Sequence, residues 1–154
     1  MIALASDHGG FALKNEIKVL LDEMALAYKD FGTDTADSCD YAVFAVPAAE
    51  AVARGECERG ILFCGTGAGM NYTANKVKGI RCIVCSDCYT AAASRSHNDA
   101  NMLALGGRVV GADLAKMIVR VWLETEFSGD ERHKRRIAQI SSLEAGQPAP
   151  NVRQ

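Results

Sequence analysis

The stretch Gly60-Ile-Leu-Phe-Cys-Gly-Thr-Gly-Ala-Gly69 reads as a strand that breaks into a glycine-rich turn and then opens a short helix to about Lys76. Its apolar run does not alternate with polar residues, which is the pattern of a strand buried on both faces, as in a parallel sheet. Upstream, Ala and Val dominate a helix over residues 41–54 that Asp40 can cap. Before it lies a weaker strand at 28–31, closed by Gly32-Thr33-Asp34. Leu13, Ile17, Leu20, Leu21 and Met24 fall at i, i+4, i+7, i+8 and i+11 and define one helix face. The chain starts with a short apolar strand at 2–5.

Downstream the alternation continues. Residues 80–85 form a fourth strand, the Ala-rich 89–96 a helix, and 102–105 a fifth strand. Asp113 opens a strong helix with Leu114, Met117, Ile118, Val121 and Trp122 on one side. A last helix, 131–144, is basic early and has only Ile137, Ile140 and Leu143 as an apolar seam. Strands separated by helices imply right-handed crossovers and helices on both faces of the sheet. The expected fold is α/β, a single doubly wound Rossmann-like domain with a five-stranded parallel sheet. The last helix is too polar for a core and is expected to extend onto a partner subunit. The domain spans 1–146, and 147–154 reads as a flexible tail.

Composition narrows the function classes. The 154 residues are 49% hydrophobic and 23% charged, enough apolar side chain for a core. A net charge of −2 argues against nucleic acid as a partner, and no run is long enough to span a membrane. The start, Met-Ile-Ala-Leu-Ala-Ser-Asp-His, has no basic n-region and is not a secretory signal, which suggests the cytoplasm. Reduced thiols are then expected for the six cysteines. Cys82, Cys85 and Cys88 are spaced C-x-x-C-x-x-C, but an odd separation along a strand sends Cys82 and Cys85 to opposite faces, so no metal site is expected.

Ligands of open parallel sheets bind beyond the carboxyl ends of strands. Three groups fall there: Asp7-His8-Gly9-Gly10, Cys64 to Gly69, and Gly106-Gly107-Arg108. The amides around Gly65, Gly67 and Gly69 suit a phosphate or a developing oxyanion, although the spacing is not that of a nucleotide P-loop. A plainer reading has the glycines only turning the chain and Cys64 an inert buried thiol. His97, in Ser96-His-Asn-Asp-Ala-Asn101, is either a site residue or a helix C-cap. His133 sits in the basic run Arg132-His-Lys-Arg-Arg136, which reads as a solvated face, unless Arg132 and Arg136, one turn apart, clamp a phosphate. In this topology His97, Arg132 and Arg136 lie at the bottom of the sheet, whereas His8, Cys64 and Arg108 lie at the top. The two groups are ~12–15 Å apart within one subunit. They can share a site only across a homodimer interface.

Five blocks in order, Ser6 to Lys14, Ile61 to Gly69, Ala74 to Arg81, Ser96 to Asn101 and Leu105 to Gly111, resemble the type B ribose-5-phosphate isomerases, a family that includes galactose-6-phosphate and allose-6-phosphate isomerases. The resemblance implies a dimeric or tetrameric aldose–ketose isomerase with no metal and no cofactor, its site shared between subunits. It implies Cys64 as the base that moves a proton between C2 and C1, Thr66 beside it, and the amides of Gly65, Gly67 and Gly69 as an anion hole for the enediolate. It further implies His97 as the ring-opening residue with Asn98 beside it and Asp7 as a further polar contact. His8, Arg108, Arg132 and Arg136 match phosphate-holding positions, and Tyr41 a substrate-lining tyrosine. The expected substrates are ribose 5-phosphate and ribulose 5-phosphate; the alternatives are another sugar phosphate such as allose 6-phosphate, or a non-catalytic sugar-phosphate-binding protein. Three departures from the family pattern bear on the sugar: Ala42 in place of a proline, Met70-Asn71-Tyr72-Thr73 after the glycines, and one extra residue before Arg132. His8 in place of a lysine favours the ribose branch.

Overall fold

A computed structural model describes residues 1–148. Strand β3 (Arg59–Cys64) is buried at every residue, as its unbroken apolar run requires. It pairs in parallel with β1 (Ile2–Ser6) on one side and β5 (Met102–Gly106) on the other. Strands β2 (Tyr28–Asp30) and β4 (Cys82–Val84) complete the parallel sheet in the order β2-β1-β3-β5-β4. The winding direction reverses between β1 and β3, which opens a crevice above their carboxyl ends.

Residues alternate across this sheet, and each face has its own core. Ile2, Leu4, Ile61, Phe63, Leu103 and Leu105 pack on α1 (Phe11–Glu23), α4 (Cys88–Asn98) and α5 (Ala112–Glu124). Ala3, Ala5, Leu62, Cys64, Met102 and Ala104 pack on α2 (Ala42–Ala53) and α3 (Ala68–Ala74). The doubly wound, Rossmann-like reading therefore holds. Cys85 joins the first core and Cys82 packs against the second, so the two thiols do face opposite ways. Burial, with a smaller contribution from Asp87, pushes the Cys85 thiol up to about 12, and burial also raises Cys82, as for inert structural thiols.

Some boundaries differ from the sequence reading. β4 spans only Cys82–Val84, because the main chain at its start is held by side chains: the Cys82 N–H donates to Asn75 Oδ1 (2.9 Å), and the Arg81 N–H to Asn101 Oδ1 (2.8 Å). Asp40 does not cap α2; Tyr41 occupies the N-cap, and the first turn has no side-chain cap among the described residues. In α5 the buried side is Ala115, Ile118, Val119 and Trp122, while Leu114 (40% exposed) and Met117 (59%) turn outward. The small Ala115 lets the helix settle between α1 and α4, which rotates the buried stripe away from the larger side chains.

The final helix α6 (Glu131–Glu144) lies against α4 of its own chain, with His133 as its buried residue among the described ones. Its far end is tied down where the Glu144 carboxylate accepts the Gly79 N–H at 3.2 Å. Apart from Gln147 and Pro148, the tail expected over 147–154 lies outside the described residues.

Candidate active site

Three loops converge above the carboxyl ends of β1, β3 and β5. The Gly107 N–H donates to the Cys64 carbonyl (2.8 Å), the Arg108 N–H to the Gly65 carbonyl (3.0 Å) and the Asp7 N–H to the Phe63 carbonyl (3.2 Å). The packing leaves no room for side chains: a Cβ on Gly107 would stand 2.5 Å from the Gly9 carbonyl oxygen, and one on Gly9 2.8 Å from the Gly65 nitrogen. The buried Asp7 carboxylate accepts the Gly10 N–H (3.1 Å), which shapes the β1 loop. His8 accepts the Cys39 N–H at Nδ1 (3.2 Å), and the Arg108 side chain lies along Gly65.

At the centre is Cys64, the last residue of β3 and 4% exposed, whose Sγ accepts the Gly67 N–H at 3.1 Å. The turn depends on Gly67, which adopts φ +80°, a conformation that glycine reaches at no steric cost. Thr66 Oγ1 accepts the Ala68 N–H (3.3 Å), so the threonine holds the first turn of α3 while its own O–H stays available. The Tyr41 ring lies over Gly69, where a Cβ would meet its Cε1 at 2.8 Å. Asp7, His8, Tyr41, Cys64, Gly65, Thr66, Gly67, Gly69 and Arg108 thus form one neighbourhood.

The remaining residues expected at the site are elsewhere in the chain. His97 and Asn98 end α4, where Asp99 turns left-handed (φ +46°). The Asn98 carbonyl accepts Arg81 Nε (3.0 Å). The His97 ring packs against His133, tilted by 39°, with centroids 4.5 Å apart. Arg132, 3.6 Å from Asp130, and Arg136 are exposed on the first turns of α6. β5 climbs from Met102, beside this group, to Gly106, paired with Cys64. Its four steps span about 13 Å at ~3.3 Å per residue. One chain therefore holds two separate groups at opposite edges of its sheet. Among the described residues, no cluster of three or more His, Cys, Asp or Glu could hold a metal ion.

His133 is where the sequence reading fails. It is buried, not on a solvated basic face, and its Nδ1 lies 2.9 Å from Ser128 Oγ. Burial, reinforced by the neighbouring Arg132 and His97, pushes its pKa below the ordinary histidine value. The signal was present in the spacing: 133, 137 and 140 lie on one helical face. A cavity of about 430 Å³ lies nearby, between β4, α4 and α6, lined by Ile80, Cys82, Asn98, Ile140 and Leu143.

A family model described as Ribose/Galactose Isomerase matches residues 2–140. Ribose-5-phosphate isomerase B of Escherichia coli (strain K12) is 49% identical over 143 residues, covering 93% of this chain and 95% of that protein. The solved structure of Clostridium thermocellum ribose-5-phosphate isomerase B superposes with a TM-score of 0.92 at 52% identity, covering 94% of this chain and 97% of that one. The Mycoplasma genitalium ribose-5-phosphate isomerase B, solved with bound ribulose-5-phosphate, matches with a TM-score of 0.89 at 38% identity, covering 94% of this chain and 95% of that one. With the match running through nearly all the described strands and helices, this chain belongs to the ribose/galactose isomerase family.

Proposed function

We propose that this chain interconverts ribose 5-phosphate and ribulose 5-phosphate by proton transfer between C2 and C1. The observation that carries the reading is Cys64 Sγ, buried at a strand end and accepting the Gly67 N–H at 3.1 Å, with His8 and Arg108 on the flanking loops. Cys64, as thiolate, removes the C2 proton of the open-chain aldose. The negative oxygen of the enediolate is held by amides of the 65–69 turn, and the proton returns to C1 while the O2 hydroxyl proton passes to O1, leaving the C2 carbonyl of the ketose. Arg108 and His8 hold the phosphate, Asp7 and Tyr41 contact the sugar, and Thr66 lies beside the base.

Ring opening falls to His97 of a second copy, with its Asn98, while Arg132 and Arg136 of that copy complete the phosphate site. The opposite-edge placement in one chain supports a homodimer or tetramer with two-fold-related sites. In that assembly α6 bears on the partner. No cofactor enters these steps. Six free cysteines suit a reducing cytoplasm.

Of the departures from the family pattern, the run Met70 to Thr73 is compatible with the ribose reading. Met70 is buried in the α2–α3 core and Tyr72 is 69% exposed. Arg132 and Arg136 stand one turn apart on α6. Purified protein offered a panel of pentose and hexose phosphates should turn over ribose 5-phosphate with the highest kcat/KM. Cys64→Ala should lower kcat by about 10²–10⁴-fold, the usual contribution of a positioned base. Full turnover by that variant, or preference for a hexose phosphate, would overturn the assignment.

A further inference from the structure

The loop between β2 and α2 reaches back over the β1 end and contacts His8 from a position 31 residues away. Thr33 N–H donates to the Ser6 carbonyl (3.0 Å), and the buried Lys14 Nζ donates to the Thr33 carbonyl (2.8 Å), so the loop is anchored beside the residues it covers. Further along, the Cys39 N–H donates to His8 Nδ1 (3.2 Å), with Cys39 Sγ 3.9 Å from the same nitrogen. A main-chain N–H can only donate. A nitrogen that accepts it has a lone pair and no proton, so the neutral ring carries its hydrogen on Nε2.

We infer that Cys39 is a positioning residue whose main-chain N–H holds the neutral His8 ring as the Nε2–H tautomer, so that this form offers the substrate one aimed Nε2–H. An imidazolium would set its Nδ1–H against the Cys39 N–H and lose the bond. The thiol is incidental; the main chain does the holding. The link to substrate rests on the reading of His8 as a phosphate ligand, whereas the tautomer does not.

The experiment begins with the full chain, free of ligand and labelled with ¹⁵N-histidine. The His8 signals are identified by their loss in His8→Gln. The neutral His8 ring is expected to show a bare Nδ1 and a protonated Nε2; a protonated Nδ1 overturns the inference. Cys39→Ala keeps the main-chain donor and should retain the Nε2–H form. Cys39→Pro removes the N–H; it should raise the Nδ1–H population and increase KM for ribose 5-phosphate about 5-fold, a hydrogen bond's worth, with kcat within about 2-fold. If Cys39→Ala loses the Nε2–H form as Cys39→Pro does, the thiol is the holder and the inference fails. Should Cys39→Pro not fold, the wild-type spectrum and Cys39→Ala still decide. A failure of isomerase activity on ribose 5-phosphate would remove the proposed function but leave the tautomer result standing, so the two failures can be told apart.

Discussion

Individual glycines around Cys64 differ in what they tolerate. At Gly107 an added Cβ meets a backbone oxygen at 2.5 Å, which cannot move without shifting the β1 loop. Gly107→Ala should lower stability by about 1–3 kcal/mol in denaturant unfolding and reduce kcat/KM as well. At Gly69 the obstacle is the Tyr41 ring, an exposed side chain that can swing aside. Gly69→Ala should leave stability within about 1 kcal/mol while raising KM, a split that kinetics and unfolding together would reveal. His133 gives a pH effect whose sign follows from its lowered pKa. Well above the ordinary value of 6.5 the ring is neutral both folded and unfolded and contributes nothing. As pH falls through that value, the unfolded chain takes up a proton that the buried ring resists, so stability declines. His133→Gln should flatten the decline, measured as urea midpoints at about pH 8 and about pH 5.5. Strand ends and glycine turns were legible because they are local signals; the burial of His133 was harder to read, because the charged run around it masks the short face of 133, 137 and 140.

Among the elements, α1 and β2 are joined by a buried charge. Lys14 is 1% exposed and its Nζ lies 2.9 Å from Asp30 Oδ2. Burial raises the Asp30 pKa, but hydrogen bonds from Lys14 and the Gly32 N–H outweigh it and hold the carboxyl below its usual range. This clasp fixes the start of the loop that delivers Cys39 to His8 and Tyr41 to Gly69. Asp30→Ala strands the ammonium and should cost about 3–5 kcal/mol, read from denaturant midpoints, whereas Lys14→Met combined with Asp30→Ala should recover part of the loss. Little of this was visible in sequence. Nothing in the residues next to Lys14 marks it as buried, and its partner lies 16 residues on. The same limit explains the α5 face: period alone favoured Leu114 and Met117, while the fit between α1 and α4 selected Ala115 and Val119.

For the whole molecule, the separation of Cys64 from His97 has a direct consequence. Cys64→Ala and His97→Ala homodimers should each be impaired. When mixed and reassociated, half the dimers are mixed, and each of those has one site with both residues intact. Activity should return to about a quarter of wild type on cyclic substrate. No recovery, with subunit exchange confirmed by mass, would refute a site built from two copies. The alternation of strands and helices, the residues at strand ends and the placement of the two groups at opposite edges of the sheet follow from sequence alone, because apolar period, glycine turns and crossover handedness are properties of short segments. Which face of α5 is buried, that His133 lies under His97 and that the Cys39 amide meets His8 were decided only by tertiary structure, because each depends on how closely segments distant in the chain pack against one another.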